Sequence, residues 1–274
     1  MPKTHWVTGG GGIRLHVVEE GNPQGRPILF IHGFSQCYLS WSPQLGSDLA
    51  RDFRLVALDL RGHGQSDKPR DAYGDSQHWA DDINGVINTL GLDGAVLCGW
   101  SYAGVIILDY IRHYGEDRIG GSQFVGAISK LGSEDALAVI GPAFLNLVPG
   151  FFSAEVEDSV SALYNFLQAC FVNPPSVEEL YPALGYNLMV PPHVRQGLLS
   201  RMVDNDDLLP RIRKPVLITH GAQDSIVLPV VVEQHKAAME HARVQILPGS
   251  GHAPSMEEPE AFNRGLREFV RSLR

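Results

Sequence analysis

One serine of this chain has the sequence surroundings of a catalytic nucleophile. Ser101 lies in Gly99-Trp100-Ser101-Tyr102-Ala103, and the apolar run before it, Ala95–Cys98, is typical of a buried strand. The apolar stretch that follows, residues 105–114, contains no proline and predicts a helix. A serine between small residues at a strand-to-helix junction is the pattern of a nucleophile elbow, a tight turn that exposes the hydroxyl. Taken alone, Ser101 could equally be a helix N-cap.

Two further residues could activate that hydroxyl, because serine is a weak nucleophile without a base, and the base needs an orienting carboxylate. Asp224 follows the apolar run Pro215–Thr219 by one short turn, and His252 lies in the glycine-containing loop after the last predicted strand. Taken alone, each would be a turn aspartate or a loop histidine without a chemical role. The chain order serine, aspartate, histidine nevertheless predicts a catalytic triad at the carboxyl ends of parallel strands.

A triad of this kind also needs two backbone N–H groups at the point where negative charge develops on the substrate. Tyr102, the residue after the serine, is predicted to supply one of them. The loop His32-Gly33-Phe34, which follows the apolar run Pro27–Ile31, predicts the second at Phe34. We expect His32 to brace this loop rather than to react.

Short apolar runs predict the mostly parallel sheet that would position these residues. Because the runs alternate with helical patterns, they indicate a doubly wound α/β fold. The predicted parallel strands are Pro27–Ile31, Arg54–Leu58, Ala95–Cys98, Gln123–Ile128, Pro215–Thr219 and Arg243–Leu247, preceded by an antiparallel hairpin of His5–Val7 and Ile13–Glu19.

Stretches with apolar residues at helical spacing predict helices that pack on this sheet. One begins near Ser76, which we expect to be its N-cap, and another spans about residues 230–240. A third begins near Pro259 and runs to the end of the chain. The apolar stripe of the first helix is Trp79, Ile83, Val86, Ile87 and Leu90, and that of the last is Phe262, Leu266, Phe269, Val270 and Leu273.

Residues 130–213 interrupt this alternation, because they hold helical patterns and proline-rich breaks but no strand pattern. We therefore predict an α/β core formed by residues 1–129 and 214–274, with a helical cap, or lid, inserted at 130–213. The alternative is that these helices only cover the sheet.

The substrate pocket is predicted from apolar aromatic residues near the elbow and in the cap. The candidates are Trp100, Phe144, Phe151 and Phe166, although cap residues of this kind could instead hold the cap on the core. Lys130 and Arg195 are the cations that could meet an acidic substrate. Without a cation placed by the pattern, the default substrate is uncharged and apolar.

Composition limits the classes of partner. Of 274 residues, 44% are hydrophobic, enough for a large core, and 22 Lys and Arg against 31 Asp and Glu give a formal net charge of −9. This charge and the lack of a basic patch argue against a nucleic-acid partner. No apolar run reaches the roughly 18 residues of a membrane span, and residues 1–12 lack the apolar core of a signal peptide, so we expect a cytoplasmic protein.

The three cysteines, Cys37, Cys98 and Cys170, are odd in number and widely spaced. This spacing favours neither a disulfide framework nor a zinc site. Cys98 lies in a predicted strand and is expected to be part of the core. We expect no metal and no cofactor.

These motifs resemble those of the α/β-hydrolase superfamily over nearly the whole chain. The matching pieces are Ile31-His32-Gly33-Phe34, Asp59-Leu60-Arg61-Gly62-His63-Gly64-Gln65-Ser66-Asp67, the Ser101 elbow, the Asp224 loop and Gly251-His252. The chain resembles in particular the cofactor-free esterases and perhydrolases, a haloperoxidase-like group similar to the enol-lactone hydrolases. The resemblance implies a structural role for the Asp59–Asp67 stretch. Ala103 replaces the second glycine of the commonest elbow, and Trp100 is bulkier than usual.

The resemblance implies an enzyme that hydrolyses a small to medium, mainly apolar carboxylic ester or lactone through an acyl-enzyme. Epoxide hydrolases and haloalkane dehalogenases of this fold carry aspartate where this chain has Ser101. Three alternatives stay open: perhydrolysis, carbon–carbon bond hydrolysis by the same triad, and a ligand sensor with slow or single turnover. The expected partner is a small molecule, and the pattern predicts no oligomeric state.

Overall fold

An eight-stranded sheet organises the structure, a computed structural model that describes residues 2–273. The strands are β1 (Lys3–Thr8), β2 (Arg14–Gly21), β3 (Pro27–Ile31), β4 (Arg54–Leu58), β5 (Ala95–Trp100), β6 (Ile119–Val125), β7 (Val216–Gly221) and β8 (Arg243–Leu247). Their order in the sheet is β1-β2-β4-β3-β5-β6-β7-β8. The β1–β2 and β2–β4 pairs are antiparallel and the other pairs are parallel. The predicted mostly parallel sheet and its leading hairpin are confirmed.

The core lies along the central strands, because helices and loops cover them. In β3, the four residues from Ile28 to Ile31 are fully buried, and β5 is buried along its whole length. Strands buried on both faces read as continuous apolar runs instead of alternating patterns. This is why β3 and β4 have the predicted bounds. β8 also has its predicted bounds, but it is an edge strand with mostly exposed residues.

The position of β6 was predicted wrongly, at Gln123–Ile128 instead of Ile119–Val125. Gly126 ends the strand at a φ of 49°, so the apolar residues after it leave the sheet. At the start of the strand, a side chain at Gly121 would lie 2.7 Å from the carbonyl oxygen of Pro215. The glycines that permit this close approach also hide the strand from an apolar pattern.

The helices follow the strands in alternation. They are α1 (Ser42–Leu45), α2 (Leu49–Asp52), α3 (Ser76–Leu90), α4 (Ala103–Tyr114), α5 (Glu134–Leu137), α6 (Pro142–Leu145), α7 (Val148–Phe151), α8 (Val156–Ala169), α9 (Val177–Leu188), α10 (Pro192–Leu199), α11 (Val230–Ala238), α12 (Pro254–Glu257) and α13 (Pro259–Ser272). Short 3₁₀ helices cover Gly10–Gly12, Tyr38–Trp41 and Leu209–Arg211.

The predicted cap of α3 needs a correction. Asp75, and not Ser76, is the N-cap, because its carboxylate accepts the backbone N–H of Gln77 at 2.9 Å. The Ser76 hydroxyl instead lies 2.8 Å from Nε2 of His113. The aspartate is one residue earlier and carries a full negative charge at the helix N-terminus.

Residues 130–213, called the helical segment below, lie between β6 and β7 and contain α5 to α10. Isolated bridges join Leu131 to Val203 and Ile140 to Val227, and within the described residues of the segment no strand forms. The division of the chain into a core and a lid domain stays a prediction.

Cys37, Cys98 and Cys170 are all buried and free. Cys98 lies in β5 and is part of the core, as predicted. Of the helices in residues 2–273, none has both the length and the apolar character needed to cross a bilayer.

Candidate active site

Ser101 lies at the turn between β5 and α4 with a φ of 59°, in the left-handed region that residues with a Cβ seldom adopt. The turn is closed by the N–H of Gly104, which donates to the Ser101 carbonyl at 3.1 Å. A side chain at Gly104 would lie 2.2 Å from the carbonyl oxygen of Ile128, and one at Gly99 would lie 3.1 Å from Cβ of Ala103. Glycine is thus required at position 104, and the tight contact at position 99 favours it there, while Ala103 fits in the buried position that the motif usually gives to glycine.

The structure brings Ser101, His252 and Asp224 into one hydrogen-bonded line. Nε2 of His252 lies 2.9 Å from the Ser101 hydroxyl, and Nδ1 lies 2.8 Å from the Asp224 carboxylate. A carboxylate only accepts hydrogen bonds, so Nδ1 carries the proton and Nε2 is free to accept the serine proton. The serine oxygen can therefore be activated for attack on an electrophilic carbon.

Asp224 is oriented by hydrogen bonds to both carboxylate oxygens. Oδ1 accepts the backbone N–H groups of Ile226 and Val227, each at 2.9 Å, while Oδ2 faces His252 and also lies 3.3 Å from Nε2 of His220. Burial alone would raise the pKa of Asp224. The charge of a protonated His252 and the hydrogen bonds from His220 and His252 outweigh burial and hold this pKa well below its usual range.

Glycines allow the His252 loop to reach across the end of the sheet. A side chain at Gly221 would lie 1.9 Å from the Gly251 carbonyl oxygen, and one at Gly126 would lie 3.4 Å from Nδ1 of His252. The loop is fixed by Glu257, whose carboxylate accepts the Gly251 N–H at 2.7 Å. These contacts set the imidazole between β6 and β7.

The predicted pocket role of Trp100 needs a correction. The Trp100 indole N–H donates to the His252 carbonyl oxygen at 2.7 Å, and its ring centroid lies 5.6 Å from that of His252. The ring is buried and does not line the cavity above Ser101. The side chains of a strand alternate between its faces. That of Trp100, the last residue of β5, lies on the face where it packs against His252.

Two backbone N–H groups near the Ser101 hydroxyl are unpaired. Within residues 2–273, neither the N–H of Phe34 nor that of Tyr102 donates to an acceptor in the protein. Gly33 brings the first of them close, since a side chain there would lie 2.9 Å from Cβ of Ser101. Both groups can therefore donate to an oxyanion formed at Ser101.

His32 braces the loop that carries the Phe34 N–H. Its Nε2 accepts the N–H of Leu60 at 3.0 Å, and its Nδ1 donates to the Gly33 carbonyl at 2.9 Å. The neighbouring Asp59–Asp67 stretch is held in the same way, with Arg61 forming a fully buried ion pair with Asp82 at 2.7 Å. Every one of these groups is engaged in holding a loop.

A cavity of about 370 Å³ opens above the Ser101 hydroxyl. Its walls are apolar apart from Ser101 and Tyr102, and no charged side chain of the described residues lines it. The lining residues are Phe34, Ser101, Tyr102, Ile128, Leu131, Gly132, Leu137, Ile140, Phe144, Leu145, Val148, Pro149, Leu199, Ile226 and Val227. Most of the roof comes from the helical segment.

Of the predicted cap aromatics, Phe144 lines the cavity, but Phe151 and Phe166 do not. The rings of Phe151 and Phe166 lie 5.3 and 6.0 Å from that of Phe34 and pack behind it. They are buried in the cluster that supports the wall. The correction arises because the His32-Gly33-Phe34 loop after β3 presents Phe34 to the cavity in front of them.

The predicted cations lie elsewhere. Arg195 is buried with its guanidinium donating to the carbonyl of Phe151 at 2.8 Å, and Lys130 forms an ion pair with Asp206. Neither side chain reaches the cavity. Arg195 donates hydrogen bonds to main-chain carbonyls within the helical segment, so its role there is structural.

Three residues near the site were missed from the sequence. His220 touches Asp224, and Arg201 forms a buried ion pair with Asp109 at 2.7 Å while its guanidinium lies 3.4 Å from the Tyr102 hydroxyl. Ser35, next to Phe34, has a φ of 60°. Among the described residues with a side chain, Ser35 and Ser101 alone have a positive φ. Of these three residues, only His220 could have been found from the sequence, because His220-Gly221 lies at the end of the strand that precedes Asp224.

A family model described as the alpha/beta hydrolase fold matches residues 26–259. Among solved structures, the esterase RhEst1 from Rhodococcus sp. ECU1013 is 34% identical, with a TM-score of 0.94 over 99% of each chain. A putative aryl esterase from Burkholderia cenocepacia is 30% identical, with a TM-score of 0.89 over 98% of each chain.

Among curated proteins, the bifunctional esterase/perhydrolase DCH of Acinetobacter calcoaceticus is 28% identical over 97% of this chain and 99% of its own length. The match extends over nearly the full length of both chains. The predicted resemblance to the esterase, perhydrolase and haloperoxidase-like group is confirmed by these relatives.

Proposed function

The chain belongs to the α/β-hydrolase family, and from that membership we propose that it is a serine hydrolase of small to medium, mainly apolar carboxylic esters or lactones. The observation that carries the proposal is the hydrogen-bonded line from Ser101 through His252 to Asp224. The esterases to which the chain is similar support the same reading.

In the proposed mechanism, His252 removes the proton of the Ser101 hydroxyl as the oxygen attacks the ester carbonyl carbon. The oxyanion that forms accepts hydrogen bonds from the N–H groups of Phe34 and Tyr102. His252 then donates its proton to the leaving alcohol, which departs as the carbonyl re-forms. Water repeats the sequence on the acyl-enzyme and releases the carboxylic acid.

Asp224 acts through His252 in this scheme. Its carboxylate fixes the tautomer with the proton on Nδ1 and stabilises the imidazolium that forms when the serine proton is taken. The hydrogen bonds from Ile226 and Val227 keep the carboxylate in place and ionised.

The cavity supports an uncharged, apolar substrate of modest size. Burial of an acyl chain against apolar side chains is favourable by about 25 cal/mol per Å². A charged group would lose its hydration there without gaining a partner from the lining side chains. A cavity of about 370 Å³ lies at the lower end of the range for small-molecule sites.

We assign residues 130–213 the role of a cap over this site. The helices α5, α6 and α7 supply lining residues such as Leu137, Phe144 and Val148, and Leu199 of α10 closes another part of the wall. Substrate selection would then depend on the cap, while the chemistry would depend on the core.

The proposal is tested by release of p-nitrophenol from acetate, butyrate and octanoate esters at neutral pH. We expect sustained turnover by the wild type, and Ser101→Ala should lower kcat by about 10⁴- to 10⁶-fold because it removes the nucleophile. Most of the activity left in Ser101→Ala would contradict the proposal. A single stoichiometric burst, or no release, would favour a ligand sensor, or a lactone or carbon–carbon substrate, over ester hydrolysis.

Ser129→Ala is the matched control for this experiment. Ser129 is also buried and its hydroxyl also lies within hydrogen-bond distance of a histidine Nε2, at 3.0 Å from His235. It lies outside the cavity lining. The control variant should therefore keep the activity of the wild type, and this separates the chemistry of Ser101 from loss of a buried hydroxyl.

Perhydrolysis is a second candidate activity, favoured by the similarity to the bifunctional esterase/perhydrolase of Acinetobacter calcoaceticus. Hydrogen peroxide would replace water as the acceptor of the acyl group on Ser101, and the product would be a peracid. The same assay with added peroxide distinguishes the two, because only perhydrolysis forms a peracid.

A further inference from the structure

A second histidine contacts the carboxylate of Asp224. His220 is the penultimate residue of β7 and is 1% exposed. Its Nε2 lies 2.9 Å from the Val227 carbonyl oxygen and 3.3 Å from Oδ2 of Asp224, the oxygen that also accepts the His252 N–H. A buried titratable group in this position has no part in the mechanism proposed above.

The geometry defines the proton position on His220. A carbonyl oxygen only accepts hydrogen bonds, so Nε2 must carry the proton that faces Val227. The same N–H lies near Oδ2 of Asp224, and the carboxylate oxygen is the more distant of its two acceptors. Oδ2 therefore faces two N–H groups, one on each side.

His220 also acts on the other carboxylate oxygen. The Val227 carbonyl accepts from His220, and the Val227 N–H donates to Oδ1 of Asp224 at 2.9 Å. This closes a ring from His220 through Val227 to Asp224. The turn that presents the carboxylate is thus fixed to the end of β7 by the His220 side chain.

We propose that His220 is a positioning residue that keeps Asp224 in place. Because the His220 N–H also faces Oδ2, it weakens the interaction of Asp224 with the protonated form of His252. The inference rests on the proposed function. A second N–H donor stabilises the charged carboxylate oxygen, so this oxygen attracts the proton of His252 less strongly. His252 then loses its proton at a lower pH, so more of it is in the form that accepts the serine proton.

Other groups also face this cluster. Cys170 at the end of α8 and Glu257 of α12 lie close enough to interact with Asp224, and His235 of α11 interacts with His220. Because all three are unchanged when His220 alone is replaced, a comparison of His220 variants isolates its contribution.

The test compares His220→Asn with His220→Gln. The glutamine amide nitrogen is as many bonds from Cα as Nε2 of histidine and can donate to the same two oxygens, whereas that of asparagine is one bond shorter. We expect the acid limb of kcat/KM for p-nitrophenyl butyrate to move to higher pH by about 0.5 to 1 unit in His220→Asn. In His220→Gln it should stay at the wild-type position.

The titration of His252 is also followed by NMR on isotope-labelled histidine in the Ser101→Ala background. This measurement does not need turnover, so it tests His220 even if no ester is hydrolysed. An upward shift of the His252 midpoint in His220→Asn, restored in His220→Gln, supports the inference.

An unchanged or lowered midpoint in His220→Asn would overturn it. If His220→Asn does not fold, His220→Leu takes its place, because leucine also removes the donor: an upward shift of the His252 midpoint supports the proposal, and an unchanged or lowered midpoint contradicts it. Failure of ester hydrolysis with a normal His220 effect would contradict only the proposed function.

Discussion

Asp224 accepts hydrogen bonds at both oxygens, and this makes its charge difficult to replace. In Asp224→Asn the amide must direct its NH₂ group either at the backbone donors of Ile226 and Val227 or at His252. Either choice opposes a donor with a donor, and the His252 tautomer is no longer fixed. We expect kcat for p-nitrophenyl butyrate to fall by about 10³- to 10⁴-fold while the shape of the site is kept. A fall of less than tenfold would contradict the role of Asp224.

The members of the candidate triad could be chosen from the sequence because each follows an apolar run within a recognisable turn. The pocket could not be chosen in the same way. Phe144, Phe151 and Phe166 all lie on apolar faces, and which of them reaches the cavity depends on how the helices sit above Phe34. A single sequence does not encode that placement in a local pattern.

Secondary structure elements were predicted well where burial alone determines the residue types. The strands β3 and β4 have the predicted bounds, because burial of both faces imposes an apolar run. The bounds of β6 were predicted wrongly because Gly120 and Gly121 add no apolar side chain to the sequence pattern. Glycine is needed at both positions because neighbouring chain segments approach closely. Contacts across the sheet, and not local propensity, select these glycines.

The helical segment is joined to α4 by a buried ion pair. Arg201, just after α10, donates to Asp109 of α4 at 2.7 Å, and both side chains are almost fully buried. Burial raises the pKa of Asp109 to about 6, although Arg201 opposes this shift. Removal of one partner of such a pair leaves the other desolvated and unpaired.

We therefore expect Arg201→Met to lower the free energy of unfolding by about 3 kcal/mol in urea titrations at neutral pH. The double variant Arg201→Met, Asp109→Leu should recover much of this loss, because no buried charge is left. Arg211→Met is the control: its pair with Asp207 is exposed and screened by solvent, so the loss should be much smaller than in Arg201→Met. Equal losses in the two single variants would show that burial of the pair has no effect.

Across the whole molecule, buried neutral histidines make stability dependent on pH. Burial lowers the pKa of His32 and of His235 to about 4, and that of His63 to about 3. In the unfolded chain each would titrate near 6.5. Between these values the unfolded state binds protons that the folded state does not, so the free energy of unfolding falls as the pH falls.

We expect urea unfolding midpoints to decrease from about pH 6.5 downwards, with a loss of about 3 kcal/mol per histidine near pH 4. The carboxyl groups with a raised pKa, Asp82, Asp109 and Glu257, act in the opposite direction, because the folded state binds their protons more tightly. The lowered pKa of Asp224 acts in the same direction as the histidines. His235→Gln should lose less stability over this range than the wild type. Equal losses of unfolding free energy in the wild type and in His235→Gln between about pH 6.5 and 4 would contradict the contribution assigned to His235.

Ser35 and Ser101, the two serines with a positive φ, are positions at which stability and activity can favour different residues. Glycine would adopt the backbone angles of Ser35 and Ser101 without strain, so selection for heat resistance alone should favour glycine at both positions. At position 101 that substitution would remove the proposed nucleophile. A population of stabilised variants that kept Ser101 while losing Ser35 would therefore record, in its sequences alone, which of the two strained turns the activity requires.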